Sequence, residues 1–353
     1  MRKKRLVILL DCFSIGGAEN MVYELIKKLD ANLFDVQVLC YMKPRDTQLE
    51  KNVKELCPLI HLNQSGMVTA STIFCVIRQL RKMKPDVVHA HLGGAGFGAI
   101  WTLIFRKQLV ITVHAKPEKA FSSKIEKLIR MALKSGKTKL VAVSKENSLA
   151  VKKYFQLDDS KCTCVNNGID LDRFYLKDHE QFTLINVARQ DENKNQAMLI
   201  RCFARLHSAY PDTRLLLVGD GPLHLQLMGQ VNSMNLTDSV VFTGNIANTE
   251  DYYAESDVYV QTSHREAMPM SVLEAMASGL PVVSTNVGGL SDVVQDNGIL
   301  VPDNDEEALY QAIYRIYKQN AQNAEEMSKA SKRIVQSYSS ENMAREYEKI
   351  YSE

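Results

Sequence analysis

Two glutamates eight positions apart, Glu266 and Glu274, bracket a proline in HREAMPMSVLEAMASGLPVVST, which also contains Gly279. Pro269 sets a helix start just after itself and the glycine sets a stop, so the pattern predicts a helix from about Met270 to Ser278. The first backbone N–H groups of such a helix lack intrahelical partners, which makes the helix start an anion site suited to a phosphate. Glu274 falls inside the helix, where a carboxylate can accept from two vicinal hydroxyls, as ribose is usually held. Glu266, on the loop before it, can face a sugar. Taken alone, a helical glutamate is more often a solvated side chain than a ligand contact.

Cations stand at a second place. In VARQDENKNQ, Arg189 and Lys194 follow an apolar run at a spacing of five, so a bend after a strand aims both at one group, and two cations suit a diphosphate. The bland alternative is a pair of surface cations at a helix start. Gly16 and Gly17, in SIGGAE, allow backbone amides to approach a phosphate or sugar. The chain has no Gly-x-Gly-x-x-Gly, and GDGP at 219–222 lacks the third glycine, which argues against a dehydrogenase. His114 ends QLVITVH, at the strand edge where open α/β sheets bind ligands. His89 and His91 end VVHAH; the expectation is one side chain toward the core, one toward the loop, and no metal held between them. No Asp-x-Asp pattern is read as a metal site at a strand end.

Parallel sheets must position these residues. Apolar runs recur as RLVILL, VQVLCY, PDVVHAH, QLVITVH and KLVAVS, then as FTLINVAR, TRLLLVGD, SVVFTG, DVYVQTS, PVVSTN and GILVP, with amphipathic segments between. At 353 residues the chain exceeds what one core supports, so the two series read as two doubly wound domains. Strand periodicity lapses in CVNNGIDLDRF, placing the junction near residue 173. The tail from Ser340 spaces Met343, Tyr347, Ile350 and Tyr351 on one helical face, with Ser340 as its N-cap.

Apolar residues at 45% and charged residues at 24% are ordinary for a globular protein. The apolar run before Asp11 is too short for a signal peptide or membrane span and reads as a first buried strand. Seven cysteines without a Cys-x-x-Cys pattern fit a reducing cytosol. Residues 1–173 hold 29 Lys and Arg against 16 Asp and Glu, and the remainder 14 against 25. Within the basic half, residues 116–139 carry eight cations, two glutamates and the stripe Ile125, Leu128, Ile129, Ala132, Leu133. That pattern suits a helix lying on anionic lipid, and equally a core-facing helix with solvated lysines.

The Glu-x7-Glu stretch closely resembles the donor-site signature of retaining glycosyltransferases of family 4. The likeness runs through SIGGAE, PDVVHAH, ITVH, NNGIDLDRF, VARQDENKNQ, VGDGP, VFTG and GILVPDND, over nearly the whole chain. It implies an α/β GT-B fold, two Rossmann-like doubly wound parallel-sheet domains facing a central cleft. Residues 1–173 would take the acceptor, 174–336 the nucleotide sugar, and a helix in 337–353 would cross back onto the first domain. Glu266 and His114 would act at the sugar. The donor would be held by Gly16, Gly17, Arg189, Lys194, Gly244, Asn245, Met268, Pro269, Met270, Ser271 and Glu274, with no metal and no cofactor.

The activity so implied is transfer with retention from a nucleotide-diphosphate sugar, a UDP-sugar first, to a glycan or polyisoprenyl-linked acceptor in cell-surface polysaccharide synthesis. The expected setting is cytoplasmic, with residues 116–139 against the anionic inner face of the plasma membrane, and without nucleic acid. The competing readings are a nucleotide-sugar epimerase or phosphorylase, and an inactive nucleotide-sugar-binding subunit, on the same fold.

Overall fold

A computed structural model describes residues 2–14, 16–65, 68–246, 248–319 and 321–353. Ile15, within the glycine loop, lies outside the described residues. The chain forms two compact units, one of Met1–Gly168 with Ser340–Glu353, the other of Ile169–Ser339.

The first unit holds a seven-stranded parallel sheet: β1 (Lys4–Leu10), β2 (Phe34–Met42), β3 (Leu59–Gln64), β4 (Val87–His91), β5 (Gln108–Val113), β6 (Thr138–Ala142) and β7 (Cys162–Cys164), ordered β3-β2-β1-β4-β5-β6-β7. The continuous apolar run Leu6–Leu10 is wholly buried, as a central strand covered on both faces requires. It pairs through Leu6 opposite both Val36 and Val87.

The second unit repeats the plan with six strands: β8 (Phe182–Val187), β9 (Thr213–Val218), β10 (Val240–Gly244), β11 (Val258–Gln261), β12 (Val282–Thr285) and β13 (Gly298–Val301), ordered β10-β9-β8-β11-β12-β13. In both sheets the strand order reverses beside the first strand, the switch point at which doubly wound sheets bind ligands.

The helix Ser340–Ser352 belongs to the first unit, burying Met343, Ala344, Tyr347, Ile350 and Tyr351. Lys28 meets Glu341 at 2.5 Å, Glu348 accepts from the Asp30 backbone N–H at 2.7 Å, and Phe34 sits edge-on to Tyr351. Ser340 is the first residue of this helix rather than its cap, and its buried Oγ has no partner. The stripe of the Ser123–Lys134 helix faces the core, with Ile129, Ala132 and Leu133 buried and Ile125 and Leu128 packed against them. That corrects the use of the stripe as a lipid-facing surface; exposed lysines and Met131 form the outer face. No helix among the described residues is long and apolar enough to cross a membrane. All seven cysteines are free thiols.

Candidate active site

In the second unit a helix runs from Met270 to Ser278, entered through Pro269 in extended backbone and stopped by Gly279 at φ +88°. Gly288 keeps the preceding loop in place. Its φ is +59°, and a Cβ there would sit 1.9 Å from the Glu266 carbonyl oxygen, so only glycine fits. The Gly289 N–H donates to the Ala267 carbonyl at 3.0 Å.

The loop after β8 is zipped to this one. The His264 N–H donates to the Asn193 carbonyl at 2.8 Å, Asn193 Nδ2 to the Arg265 carbonyl at 3.0 Å, and Thr262 Oγ1 to the Lys194 carbonyl at 2.7 Å. The zip brings Lys194 Nζ within 2.6 Å of Glu266 Oε1. Both side chains are largely sheltered, at 20% and 10% exposed, which strengthens the pair relative to a surface one. Arg189, by contrast, is 68% exposed and reaches Asp191 only at 3.8 Å, so its guanidinium is available to a ligand.

Beneath the pair lies a polar network that the sequence did not announce. Gln261, fully buried at the end of β11, donates from Nε2 to Glu266 Oε1 at 2.7 Å and to Ser263 Oγ at 2.6 Å. The Tyr259 hydroxyl donates to Gln261 Oε1, so the Ser271 hydroxyl, 2.8 Å away, donates to Tyr259. Tyr253 donates to Glu274 Oε2 at 3.0 Å and to the Ser271 carbonyl at 3.1 Å. Burial, followed by the field of Glu274, pushes the Tyr253 phenol well above its ordinary range, and burial does the same for Tyr259. Both therefore remain donors that orient their partners.

Met268 and Met270 are buried, which leaves backbone as what they can offer a ligand. Gly244, at φ +66°, ends β10 and accepts from the Gly219 N–H at 2.9 Å; Asn245 beyond it is exposed. Against the expectation of no such pattern at a strand end, an Asp-x-Asp follows β13 at 303–305. Both carboxylates have partners: Asp303 meets His264 at 2.8 Å, and Asp305 caps the Glu306–Lys318 helix by accepting from the Ala308 N–H. The described residues hold no cluster of three or more potential metal-ligating side chains.

Gly16, Gly17 and His114 lie in the first unit. Gly16 precedes the Gly17–Lys28 helix in extended backbone, and buried Glu19 in its first turn accepts from Ser14 Oγ. Asp11, just beyond β1, is bound by Tyr41 and the Gly93 backbone. Burial raises its carboxyl above the ordinary range and the field of Glu19 adds to that. A Cβ on Gly93 would collide with both Asp11 Oδ1 and the Tyr41 hydroxyl at 2.5 Å.

His114, partly exposed just past β5, shares a 2.9 Å hydrogen bond between its Nε2 and His91 Nδ1. His89 and His91 are both fully buried, which corrects the expected split between core and loop: residues two apart on a strand share a face. Their rings lie 4.1 Å apart. His89 contacts Thr112 Oγ1 at 2.8 Å and the Tyr351 hydroxyl at 2.7 Å. Burial pushes His114 down to about 4 and, with the field of His114, His89 to about 3; His91 also lies far below its ordinary value. The three rings are neutral at pH 7.

Two parallel-sheet units of Rossmann strand order, each ending in polar loops at the switch point, define the GT-B class. Comparison with known proteins agrees. The family model described as Glycosyltransferase Family 4 matches residues 15–173, and that described as Glycosyl transferases group 1 matches residues 169–334. A crystal structure of Anabaena HepE in complex with UDP aligns with a TM-score of 0.84 at 20% identity, covering 99% of this chain and 99% of that one. A UDP-Gal:alpha-D-GlcNAc-diphosphoundecaprenol alpha-1,3-galactosyltransferase of Escherichia coli is 25% identical over 331 residues, 86% of this chain and 85% of that protein. An uncharacterized glycosyltransferase of Methanocaldococcus jannaschii is 26% identical over 235 residues, 60% of this chain and 58% of that protein. The chain belongs to the GT-B glycosyltransferases matched by the family 4 and group 1 models. It is a transferase enzyme.

Proposed function

We propose that this enzyme moves a sugar from a UDP-sugar to a hydroxyl of a glycan or polyprenyl-linked acceptor, with retention of anomeric configuration and without a metal ion. The observation that carries the reading is the Lys194–Glu266 contact beside the start of the Met270–Ser278 helix, with Arg189 extended into solvent. On donor binding, Lys194, Arg189 and the helix start meet the diphosphate and stabilise the charge that grows on it as the bond to the anomeric carbon breaks. Those cations supply the charge that a divalent ion supplies in other transferases. Glu266 orients sugar hydroxyls, and Glu274, held by Tyr253, accepts from the ribose. The acceptor oxygen bonds to the anomeric carbon on the face the phosphate leaves, and its proton passes to the departing phosphate.

The E. coli relative's name supplies the uridine base and the lipid-diphosphate acceptor class for this proposal. Such an acceptor places the work at an anionic cytoplasmic membrane surface, toward which the exposed lysines of residues 116–139 are suited by charge. Pelleting with phosphatidylglycerol vesicles but not with phosphatidylcholine vesicles, reversed by salt, is the expected result; equal pelleting with both removes this part.

A thermal-shift screen against UDP, GDP, ADP and their sugar conjugates tests the donor site, because a ligand of the native state raises its stability. Stabilisation by UDP that is lost in Lys194→Ala and Glu274→Ala is expected, and turnover unchanged by EDTA. Stabilisation surviving both substitutions sinks the site assignment. Conversion of the donor without any acceptor points to an epimerase, and binding without turnover to an accessory subunit.

A further inference from the structure

His114 is not an isolated side chain, because its Nε2 is already occupied by His91. That leaves Nδ1 as the ring nitrogen able to meet a ligand. Which of its nitrogens carries the proton follows from His91, and His91 is constrained on its other side. Its Nε2 is buried without a partner. A neutral imidazole has one N–H and one lone pair, and a buried N–H without an acceptor is the rarer defect in native structures. His91 therefore keeps its hydrogen on Nδ1 and donates it to His114 Nε2. His114 must then carry its own hydrogen on Nδ1.

We propose that His91 is a positioning residue that locks His114 into its Nδ1–H tautomer, so that His114 presents a neutral hydrogen-bond donor at the carboxyl edge of the first sheet. This rests on the reading of His114 as a residue that meets the sugar. It deepens that reading by assigning the direction of the bond: His114 donates to a hydroxyl or phosphate oxygen and does not take a proton from the acceptor. His89 supports the arrangement from behind. Its ring lies against that of His91, and both its nitrogens are engaged, by Thr112 and by Tyr351. His91 thus has no second buried acceptor to turn to among these neighbours.

The test is a long-range proton–nitrogen NMR spectrum of full-length protein labelled with nitrogen-15 at histidine, recorded at pH 7. The His114 signals are assigned by their loss in His114→Ala. The expected result is a protonated Nδ1 and unprotonated Nε2 at His114, with the other tautomer about tenfold less populated. In His91→Phe, which keeps a ring against His89 but supplies no donor, the Nδ1–H preference at His114 should be lost and the Nε2–H form should gain population. An Nε2–H tautomer at His114 in the unsubstituted protein overturns the proposal by itself, even if His91→Phe fails to fold. So does an unchanged tautomer ratio in a folded His91→Phe. The parent reading fails separately, if His114→Ala turns over donor as fast as the unsubstituted enzyme while the tautomer stands as assigned.

Discussion

Gln261→Glu replaces an amide by a carboxylate of nearly the same shape at a fully buried position, 2.7 Å from Glu266 Oε1. Two full charges at that separation repel by about 6 kcal/mol at an effective dielectric constant of ~20. The Lys194 ammonium, 2.6 Å from the same oxygen, offsets much of that. We take about 2–3 kcal/mol as the residual cost. The pair escapes it by holding a proton, so the new carboxyl titrates above the value it has in the unfolded chain. A group raised in this way contributes its stability below the unfolded value, near pH 4.3, and loses it as pH climbs through the folded one. The loss should be complete about two pH units higher. Relative to the unsubstituted protein, Gln261→Glu should thus melt nearly normally at pH 4.5 and lower by roughly 4–12 °C at pH 7.5, at ~2–4 °C per kcal/mol for a unit of this size. Gln261→Leu is the control, since it deletes the same hydrogen bonds without adding charge, and its deficit should not vary with pH. Differential scanning calorimetry from pH 4.5 to 8 reads both. A Gln261→Glu deficit that is flat across this range would refute the placement of Gln261 against Glu266.

Other consequences follow from single residues. Gly288→Ala sets a methyl against the Glu266 carbonyl at positive φ and should cost more than ~2 kcal/mol in chemical denaturation, whereas Gly229→Ala, with open space around it in a helix, should be neutral or stabilising by ~0.5–1 kcal/mol. Tyr351→Phe leaves buried His89 Nδ1 without its partner and should cost about 1–3 kcal/mol, measured by the same method. The lowered values of His89, His91 and His114 make the first unit sensitive to acid: as pH falls below about 6.5 the unfolded chain takes up protons that the folded rings refuse. Each ring adds about 1.4 kcal/mol of lost stability per pH unit, down to about pH 4 for His114 and about pH 3 for His89. Circular dichroism should show a melting temperature falling steeply over this window, and His114→Phe should flatten the slope.

How much of this could be read from the sequence depended on whether a feature was local. The helix Met270–Ser278 was legible because Pro269 and Gly279 act on their own neighbours. Continuous apolar runs disclosed all six strands of the second sheet and five of the first. β3 went unread because it is an edge strand of half-buried residues in LIHLNQ, and β7 because it is only three residues long. The two buried histidines were misjudged by treating residues two apart on a strand as facing opposite ways. Gln261, Tyr253 and Tyr259 gave no signal at all. Each looks like an ordinary polar or aromatic residue in its own segment, and its partners, though only two to 21 positions away, are reached through the fold of the loop between β11 and the Met270–Ser278 helix, which no spacing rule describes. The Asp-x-Asp at 303–305 illustrates the reverse case, a pattern with chemical promise whose carboxylates serve a helix cap and a histidine contact.

The first unit is discontinuous: the Ile169–Ser339 unit is threaded between its two pieces. During synthesis the seven-stranded sheet can therefore assemble long before the helix that covers part of it exists. Until Ser340–Ser352 is made, the bonds from His89 to Tyr351 and from Thr112 to Tyr347 are missing, and the surface that buries Tyr347 and Tyr351 is open to water. The inserted unit faces no such wait, since all its strands lie in one stretch of chain. On the ribosome the order of completion is thus reversed with respect to sequence: the segment translated second is finished first, and the one translated first stays incomplete until its last helix arrives.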